Sequence, residues 1–443
     1  MTDDTSTSSA GRAAARGTAY GFILRIISFT LSQLTFRFVD PIALGRASIR
    51  LELLLNTALF IGREGFRLAL IRTDSDSPGA KSKSSQGEEN SKSRNTNNVS
   101  WLSVPVGGIL SLIAFLVHLY SCQRMESSIN ADPSGQQSLL DYKVAGILYC
   151  IAAFVESIAE PLIIKAMQQL DVETRAASEG TATLSKAAIS VLLLSGSNYS
   201  FVPPSIAKKW PVSAFGMAQL THAIVLTFVV YKRKWNFITW PSFEVVSRKN
   251  FDIPTLKLVF IFTLQGIFKH LLTEGDRIVL TALANGYDQG VYAMASSYGG
   301  MASRLLLQPL EENARLLFSK QEKKHAAQKH SKDNELETTL CVLLKLVLYI
   351  GLSFSCVASN YTSVLLTILA GTRWGNNPEA TQALSAFCIY TALLALNGTT
   401  EAFVYGVAKS GSDVGSLGLA HAFGRFHSFQ LNNTFISTQK SKH

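Results

Sequence analysis

The chain has 443 residues, of which 47% are hydrophobic and only 16% are charged. Water-soluble chains usually contain about a quarter of charged residues, so this composition disfavours an ordinary soluble domain. The formal net charge is +10, but the lysines and arginines lie mostly between long apolar segments rather than in one basic block. This placement is typical of a membrane protein and argues against a nucleic-acid-binding protein.

The apolar segments are long enough to be transmembrane helices, since roughly 20 residues cross the hydrocarbon core of a bilayer. Ten spans are predicted: Ala19–Val39, Ile42–Gly62, Trp101–Ser121, Val144–Gln168, Ala176–Ser195, Val212–Tyr231, Leu256–Leu272, Gly290–Pro309, Leu340–Ala358 and Ala380–Asn397. A partial eleventh span is expected to begin at Glu401, and the fifth is the weakest because it contains Glu179 and Lys186. The sequence therefore predicts an all-α, polytopic membrane helix bundle.

Basic residues alternate between the predicted loops. The loops after the second, sixth and eighth spans carry most of the lysines and arginines, which places these loops and the N-terminus in the cytoplasm. The predicted segments are a polar N-terminal tail at 1–18, a first six-span lobe at 19–231 with a disordered cytoplasmic loop at 73–100, an inter-lobe linker at 232–255, an incomplete second lobe at 256–410 and a disordered tail at 411–443. Two lobes of similar helix count favour a transporter that handles its substrate between them.

Motifs for covalent chemistry are scarce. No phosphate-binding glycine loop, nucleophile elbow or paired histidine motif is present, and the five cysteines form no metal-ligand spacing. Asp74 and Asp76 match a two-carboxylate metal pattern, but they lie in a serine-rich loop and are interpreted as a chance match. We therefore expect neither an enzyme nor a cofactor or metal site.

Ionisable residues inside apolar spans are energetically costly and usually face a bundle interior or an aqueous cavity. Arg25 lies in the first span, Glu156 and Glu160 share one face of the fourth, and Arg304 begins a polar stripe on the eighth. Arginine suits phosphate because its planar fork donates bidentate hydrogen bonds, so a pyrophosphate headgroup is a candidate ligand. Packing between helices, or snorkelling to the headgroups, would produce the same sequence pattern.

Several segments together resemble one family. Phe36–Arg67 (FRFVDPIALGRASIRLELLLNTALFIGREGFR) and Leu271–Lys320 (LLTEGDRIVLTALANGYDQGVYAMASSYGGMASRLLLQPLEENARLLFSK) are similar to motifs of the Rft-type oligosaccharide-lipid translocation proteins. Shorter similarities occur at Ala159–Gln168 (AEPLIIKAMQ) and Leu396–Phe403 (LNGTTEAF). The resemblance covers roughly Gly21 to Ala408 and implies the architecture of the multidrug/oligosaccharidyl-lipid/polysaccharide exporter superfamily, which is MATE-like.

The resemblance also implies a function and a place in the cell. The implied role is movement of dolichol-pyrophosphate-linked Man5GlcNAc2 from the cytosolic to the lumenal leaflet of the endoplasmic reticulum membrane, alongside the N-glycosylation machinery. The motif positions and the charged residues of the spans give one candidate substrate-binding set: Arg25, Arg37, Arg50, Arg63, Arg67, Glu160, Lys269, Glu274, Arg277, Arg304, Gln308 and Glu311.

Two other functions remain open from the residues. One is a non-transporting accessory protein of lipid-linked oligosaccharide assembly. The other is a cation-coupled small-molecule exporter, in which Glu156 and Glu160 would be the coupling carboxylates. The resemblance ends before Gly411, after which we expect a disordered tail and a truncated second lobe.

Overall fold

The fold was analysed in a computed structural model. It describes residues 24, 26–75, 95–126, 133–169, 171–195, 209–235, 238, 240–241, 252–302, 307–308, 310–311, 313–315, 317–318 and 333–407. These residues are helical or in short connections, and they include no strand. Two compact units divide the chain, Met1–Gly290 and Val291–His443.

The described part of the first unit is a bundle of long and short helices. Its helices are α1 (Ile26–Thr35), α2 (Pro41–Gly45), α3 (Glu52–Ser75), α4 (Ser103–Glu126), α5 (Pro133–Gln168), α6 (Val172–Leu194), α7 (Pro211–Lys234), α8 (Ile253–Thr273) and α9 (Gly275–Leu283). A π-helical turn, Arg46–Leu51, joins α2 to α3. The α5 helix is central, because it packs against α3, α4 and α7, while α8 packs along α3.

The second unit is built around two long helices. The boundary between the units falls within the sequence of α10 (Gly286–Ala302), and in the second unit α11 (Asp333–Leu352) and α14 (Pro378–Val407) pack side by side. Two short helices, α12 (Thr362–Leu369) and α13 (Thr372–Gly375), connect them. Leu307, Val347 and Ala395 form one buried cluster of this unit.

Six helices in the described part are long and apolar enough to cross a membrane: Asn95–Glu126, Gly135–Gln168, Pro211–Lys234, Ile253–Thr273, Thr338–Leu369 and Pro378–Phe403. In α4 the small and polar residues, such as Gly107 and Ser111, are buried, whereas Leu112 and Leu116 are 57% and 56% exposed. A water-soluble helix has the opposite arrangement. Large apolar side chains outside and small ones between helices are what a lipid environment favours.

The helices agree with the predicted spans in position and differ in length. The second predicted span is part of a helical stretch from Pro41 to Ser75, and the tenth extends to Val407. A separate span beginning at Glu401 is therefore wrong, because Glu401 lies inside α14. The fifth predicted span is helical as α6, although its charges keep it outside the six apolar helices.

The predicted disordered loop at 73–100 is wrong at both ends. Residues 73–75 complete α3, and residues 95–100 are helical. Val99 is fully buried and packs in a cluster with Phe66, Leu70 and Ile164. The Ser100 and Ser103 hydroxyls each donate to a backbone carbonyl oxygen three residues earlier, so these polar side chains are satisfied within the helix.

Other predicted segments stay untested. The predicted polar tail at 1–18 and the predicted tail at 411–443 both lie outside the described residues. The lobe bounds and the linker at 232–255 stay predictions. Within the first unit, α8 packs on α3, so the helix after that linker contacts a helix that precedes it.

Glycines allow close helix contacts in the first unit. A Cβ atom at Gly65 of α3 would lie 2.7 Å from the carbonyl oxygen of Val259 and 2.9 Å from the amide nitrogen of Thr263, both in the α8 backbone. A backbone atom cannot move aside as a flexible side chain does. The α3 and α8 helices therefore approach as closely as they do because residue 65 has no side chain.

We predict that Gly65→Ala destabilises the protein by about 1 to 3 kcal/mol, because the methyl group forces α8 away from α3. The thermal midpoint in detergent should fall. Gly275→Ala is the matched control, since a Cβ there meets nothing within 4 Å. Equal midpoints for the two variants would show that the α3–α8 contact does not require glycine.

Candidate functional site

Two ion pairs join α3 to α5 inside the first unit. Arg67 donates two hydrogen bonds to the Glu160 carboxylate, Nε to Oε1 at 2.5 Å and Nη2 to Oε2 at 2.8 Å. Arg63 lies 3.5 Å from Glu156, one turn along both helices. The carboxylates are almost completely buried, at 4% exposed for Glu156 and 1% for Glu160. A buried carboxylate is tolerated because a cation and hydrogen bonds compensate for its lost hydration.

A third helix, α7, completes the surroundings of Glu156. Gln219 donates an Nε2–H to Oε1 of Glu156 at 3.0 Å, and His222 Nδ1 lies 3.1 Å from the same oxygen. Gln219 and His222 are three positions apart and therefore share one face of α7. Glu156 thus links α3, α5 and α7 through one carboxylate.

Further polar contacts tie α6 and α8 to α3. Lys186 of α6 lies 2.9 Å from Oε1 of Glu52. Lys269 of α8 lies 3.7 Å from Glu64. His270 of α8 shares a 2.9 Å hydrogen bond with the Thr57 hydroxyl and stacks on Phe60 with ring centroids 4.9 Å apart. Charged residues along α3 thus have partners on several neighbouring helices.

A different carboxylate holds the start of α7. Asp141 of α5 is 2% exposed, and its two oxygens accept from the backbone amides of Val212 at 2.9 Å and Ser213 at 2.8 Å. The first amides of a helix have no partner within the helix, so Asp141 acts as a cap provided by another helix. It therefore fixes the end of α7 against α5.

Asp171 plays a similar part in the connection between α5 and α6, outside the apolar spans. Its side chain accepts from the Thr174 amide at 3.0 Å and the Thr174 hydroxyl at 2.7 Å, and Lys234 Nζ lies 2.8 Å away. Burial alone would raise the pKa of this carboxyl, but the hydrogen bonds from Lys234 and Thr174 outweigh that effect and lower it. The carboxylate therefore stays ionised and holds α6 and α7 together at this end.

The structure brings part of the candidate substrate-binding set together. Arg63, Arg67 and Glu160 meet between α3 and α5, as described above. Glu274 and Arg277 lie 3.2 Å apart at the junction of α8 and α9. These residues contact carboxylate or cationic partners on neighbouring helices or turns, which reduces the charge that each presents to a ligand.

The other candidates are placed separately or lie outside the described residues. Arg50 donates its Nε–H to Gln289 at 2.8 Å, and Arg37 is exposed near the end of α1. In the second unit Gln308 is exposed, and Glu311 packs against Gly398 of α14. That contact joins two of the segments that carry the family resemblance. Arg25 and Arg304 lie outside the described residues.

Sequence reasoning missed several residues of these clusters. Gln219 and His222 were detectable as two polar residues on one face of an apolar helix. In the sequence Lys186 only weakens the prediction of the fifth span, whereas in the structure it is the partner of Glu52. Asp141 and Gln289 gave no signal, because their roles depend on helices distant in sequence.

The described side chains offer no metal-binding group. Three or more His, Cys, Asp or Glu side chains never converge within this part of the molecule. The arrangement instead balances charges across helix contacts in an apolar bundle. Such ion pairs can hold helices in place. A charged ligand can also replace one partner of a pair if it forms the same hydrogen bonds and ion contacts with the other partner.

Comparison with known structures identifies the fold. The chain is similar to a solved transporter titled "Inward-facing conformation of a multidrug resistance MATE family transporter of the MOP superfamily". The TM-score is 0.56 at 12% identity, over 89% of this chain and 84% of the other. The fold and the buried charges therefore define a multi-pass α-helical membrane protein with the MATE transporter fold.

The sequence comparisons give the family. Residues 18–418 match the family described as Rft protein, so the chain belongs to the Rft family. It is 30% identical over 412 residues to the Man(5)GlcNAc(2)-PP-dolichol translocation protein RFT1 of Schizosaccharomyces pombe, covering 90% of this chain and 72% of that protein. The protein of the same name from Mus musculus is 30% identical over 421 residues, covering 89% and 71%.

We predict that Glu160→Gln destabilises the protein by about 3 to 5 kcal/mol, since it leaves the buried Arg67 guanidinium without its counterion. The thermal midpoint in detergent measures the effect. Glu173→Gln is the control, because Glu173 pairs with Arg233 at an exposed position and such pairs contribute about 0 to 1 kcal/mol.

The Arg67–Glu160 pair would be dispensable if both variants showed the same midpoint. A double variant, Arg67→Met with Glu160→Leu, should be more stable than Glu160→Gln alone, because it leaves no unpaired charge.

Proposed function

We propose that this chain translocates dolichol-pyrophosphate-linked Man5GlcNAc2 from the cytosolic to the lumenal leaflet of the endoplasmic reticulum membrane. The observation that carries this proposal is the shared identity with relatives of that printed function over about nine tenths of the chain. The MATE-like fold supports it, since the solved neighbour is a transporter. Translocation of the glycolipid requires no covalent chemistry, so on this proposal the protein is a transporter and not an enzyme.

The physical task explains why such a protein would be polytopic and charged inside. Moving a pyrophosphate and its sugars through hydrocarbon exposes charged and polar groups to an apolar medium, which costs many kcal/mol without compensation. A polar path lined by arginine would lower that cost, because guanidinium groups bind phosphate oxygens bidentately. The prenyl chain would remain in the lipid throughout.

The candidate substrate-binding residues divide into two groups on this proposal. Arg63, Arg67 and Glu160 already satisfy one another or Glu156 inside the bundle. They would contact substrate only after a rearrangement that breaks those pairs. Arg50 forms no ion pair within the described residues and donates to the neutral side chain of Gln289, so it would meet the glycolipid with less reorganisation.

The accessory role predicts the same relatives and the same fold, so function has to be measured directly. The exporter alternative is less well supported by the side chains. Glu156 accepts from Gln219 and contacts His222 and Arg63, while Glu160 is bound bidentately by Arg67. A coupling carboxylate has to exchange a cation or proton readily, and these two are already engaged.

Localisation and partners follow from the same proposal. We propose that the protein lies in the endoplasmic reticulum membrane with its N-terminus in the cytoplasm, surrounded by membrane lipids. Components of the N-glycosylation machinery would be its protein partners, with no nucleic acid involved.

We predict that the purified full chain, reconstituted in liposomes, moves the glycolipid between leaflets faster than protein-free liposomes do. Fluorescently or isotopically labelled Man5GlcNAc2-pyrophosphate-dolichol and a membrane-impermeant lectin or glycosidase would report its leaflet. Arg50→Gln should slow transfer about tenfold or more, because a charge-assisted hydrogen bond contributes roughly 1.5 to 3 kcal/mol. Arg175→Gln, on the exposed i,i+4 pair, is the control that should leave transfer unchanged.

Transfer no faster than in protein-free liposomes would contradict the proposed translocation. If the same preparation then bound the glycolipid and accelerated its use by purified glycosylation enzymes, the accessory role would replace it.

We predict that a cysteine at Ser85 is labelled only from the cytosolic side of sealed microsomes and a cysteine at Asn360 only from the lumenal side. The alternation of basic loops is the reason. The background should lack the native cysteines, since Cys341 and Cys356 are themselves exposed. Labelling of Ser85→Cys from the lumen alone would invert the proposed topology.

A further inference from the structure

The π-helical turn between α2 and α3 carries two arginines, Arg46 and Arg50, at positions one turn apart. Both side chains are partly buried. Five other cations of the first unit each lie within 4.0 Å of a carboxylate, namely Arg63, Arg67, Lys186, Lys269 and Arg277. Within the described residues, neither Arg46 nor Arg50 has an ion-pair partner.

Neutral groups hold both guanidinium groups. Arg46 Nη1 donates to the backbone oxygen of Ser138 at 3.1 Å and to its hydroxyl at 2.5 Å, and the guanidinium lies 5.7 Å from the ring centroid of Tyr142. Arg50 donates from Nε to Oε1 of Gln289 at 2.8 Å and faces the Met125 sulfur at 3.7 Å. These contacts orient the two side chains and do not neutralise them.

The nearby polar groups are already committed to other partners. Asp141, the carboxylate in the turn next to Ser138 and Tyr142, accepts the first amides of α7. Gln289 is fully buried and donates to the carbonyl oxygens of Leu280 at 3.1 Å and Ala284 at 2.9 Å, which fixes its own oxygen toward Arg50. Asp141 therefore cannot turn toward Arg46 without leaving the start of α7 uncapped.

Two like charges one turn apart in a partly buried place repel each other. The Asp141 carboxylate attracts Arg46 without forming an ion pair, so the two arginines keep a net positive charge that makes an anion favourable there. A guanidinium has five N–H donors, and the bonds above use one nitrogen of Arg46 and two of Arg50. The remaining donors match the oxygens of a phosphate group, which arginine binds as a fork. π-helical turns often occur at functional sites, because the widened turn redirects its side chains.

We propose that Arg46 and Arg50 form an anion site for the phosphate headgroup of a membrane lipid. Two sources share this chemistry: the pyrophosphate of a polyprenyl-linked substrate and the phosphate of an anionic phospholipid. The first source rests on the proposed function, and the anion site itself does not. Arg46 contacts Ser138 of α5 and Arg50 contacts Gln289, so a phosphate bound by both arginines would link three segments of the first unit.

Equilibrium binding to the purified full chain in neutral detergent tests the site. The probes are geranylgeranyl pyrophosphate, phosphatidylserine and, as the uncharged comparison, phosphatidylcholine, each detected by native mass spectrometry. The double variant Arg46→Gln, Arg50→Gln should bind the anionic probe at least about tenfold more weakly, since charge-assisted bonds are lost. The control is Arg175→Gln, Arg233→Gln, which removes the same charge from exposed pairs.

The binding experiment also identifies which phosphate compound occupies the anion site. Selective loss of pyrophosphate binding assigns a substrate headgroup, and selective loss of phosphatidylserine binding assigns a structural lipid. Equal binding of both anionic probes by wild type and the double variant, or an equal loss in the control, overturns the proposal. So does a wild-type chain that binds anionic and uncharged probes alike.

A second variant guards against misfolding. Arg46→Lys, Arg50→Lys keeps both charges without the fork, and we expect binding between that of wild type and the glutamine variant. If lysine abolishes binding as fully as glutamine in a folded protein, the bidentate assignment is overturned. The leaflet-transfer assay separates the two proposals. If binding depends on the arginines but no transfer occurs, the anion site is supported and the proposed translocation is contradicted. If transfer occurs but the glutamine variant binds the probes as wild type does, the translocation is supported and the anion site is contradicted.

Discussion

An unpaired charge is very costly in an apolar bundle, and this constraint determines how the first unit is assembled. Arg67 of α3 and Glu160 of α5 bind each other bidentately where Glu160 is 1% exposed. Once that pair forms, the register of α3 against α5 is set, and Arg63 comes opposite Glu156 because both helices repeat at four residues. Glu156 then selects the face of α7 that carries His222. One ion pair therefore has consequences for three helices.

Apolar packing contributes in a different way. Lipid tails are as apolar as leucine, so moving a leucine from lipid into a helix contact yields no hydrophobic free energy. Close contact between helices therefore depends on small residues. Gly65 lets α8 approach the α3 backbone, and Gly107 lets α4 approach Ser157 of α5. The ion pairs then select among the close arrangements that the glycines permit. Specificity in this unit thus comes from a few buried charges, while proximity comes from the absence of side chains.

The fold was predictable to the extent that it depends on local apolar length. The predicted spans from Trp101 onward coincide with helices wherever the structure describes them, because a membrane-crossing helix needs a long apolar run that is visible in sequence. Helix ends were less predictable, as at Glu401, which is inside α14. Polar residues extend a helix when tertiary contacts satisfy them, and hydropathy does not record such contacts.

The site was predictable in its residue types and much less in its pairings. Arg63 and Arg67 are four apart, as are Glu156 and Glu160, so the matching intervals were a usable signal for two parallel ion pairs. Nothing in the sequence indicates that Lys186 meets Glu52, 134 positions away. The π-helical turn that presents Arg46 and Arg50 was equally undetectable, since it requires one extra residue in a turn and no particular composition.

The cap that Asp141 provides for α7 bears on how the chain enters the membrane. A ribosome delivers α5 before α7, so the carboxylate is in place when the first amides of α7 arrive. Until then Asp141 is an unpaired acid near the end of a hydrophobic helix, and afterwards it satisfies two amides that lipid cannot. The order of synthesis therefore makes the cap on α5 available before α7, the helix that needs it, has been made.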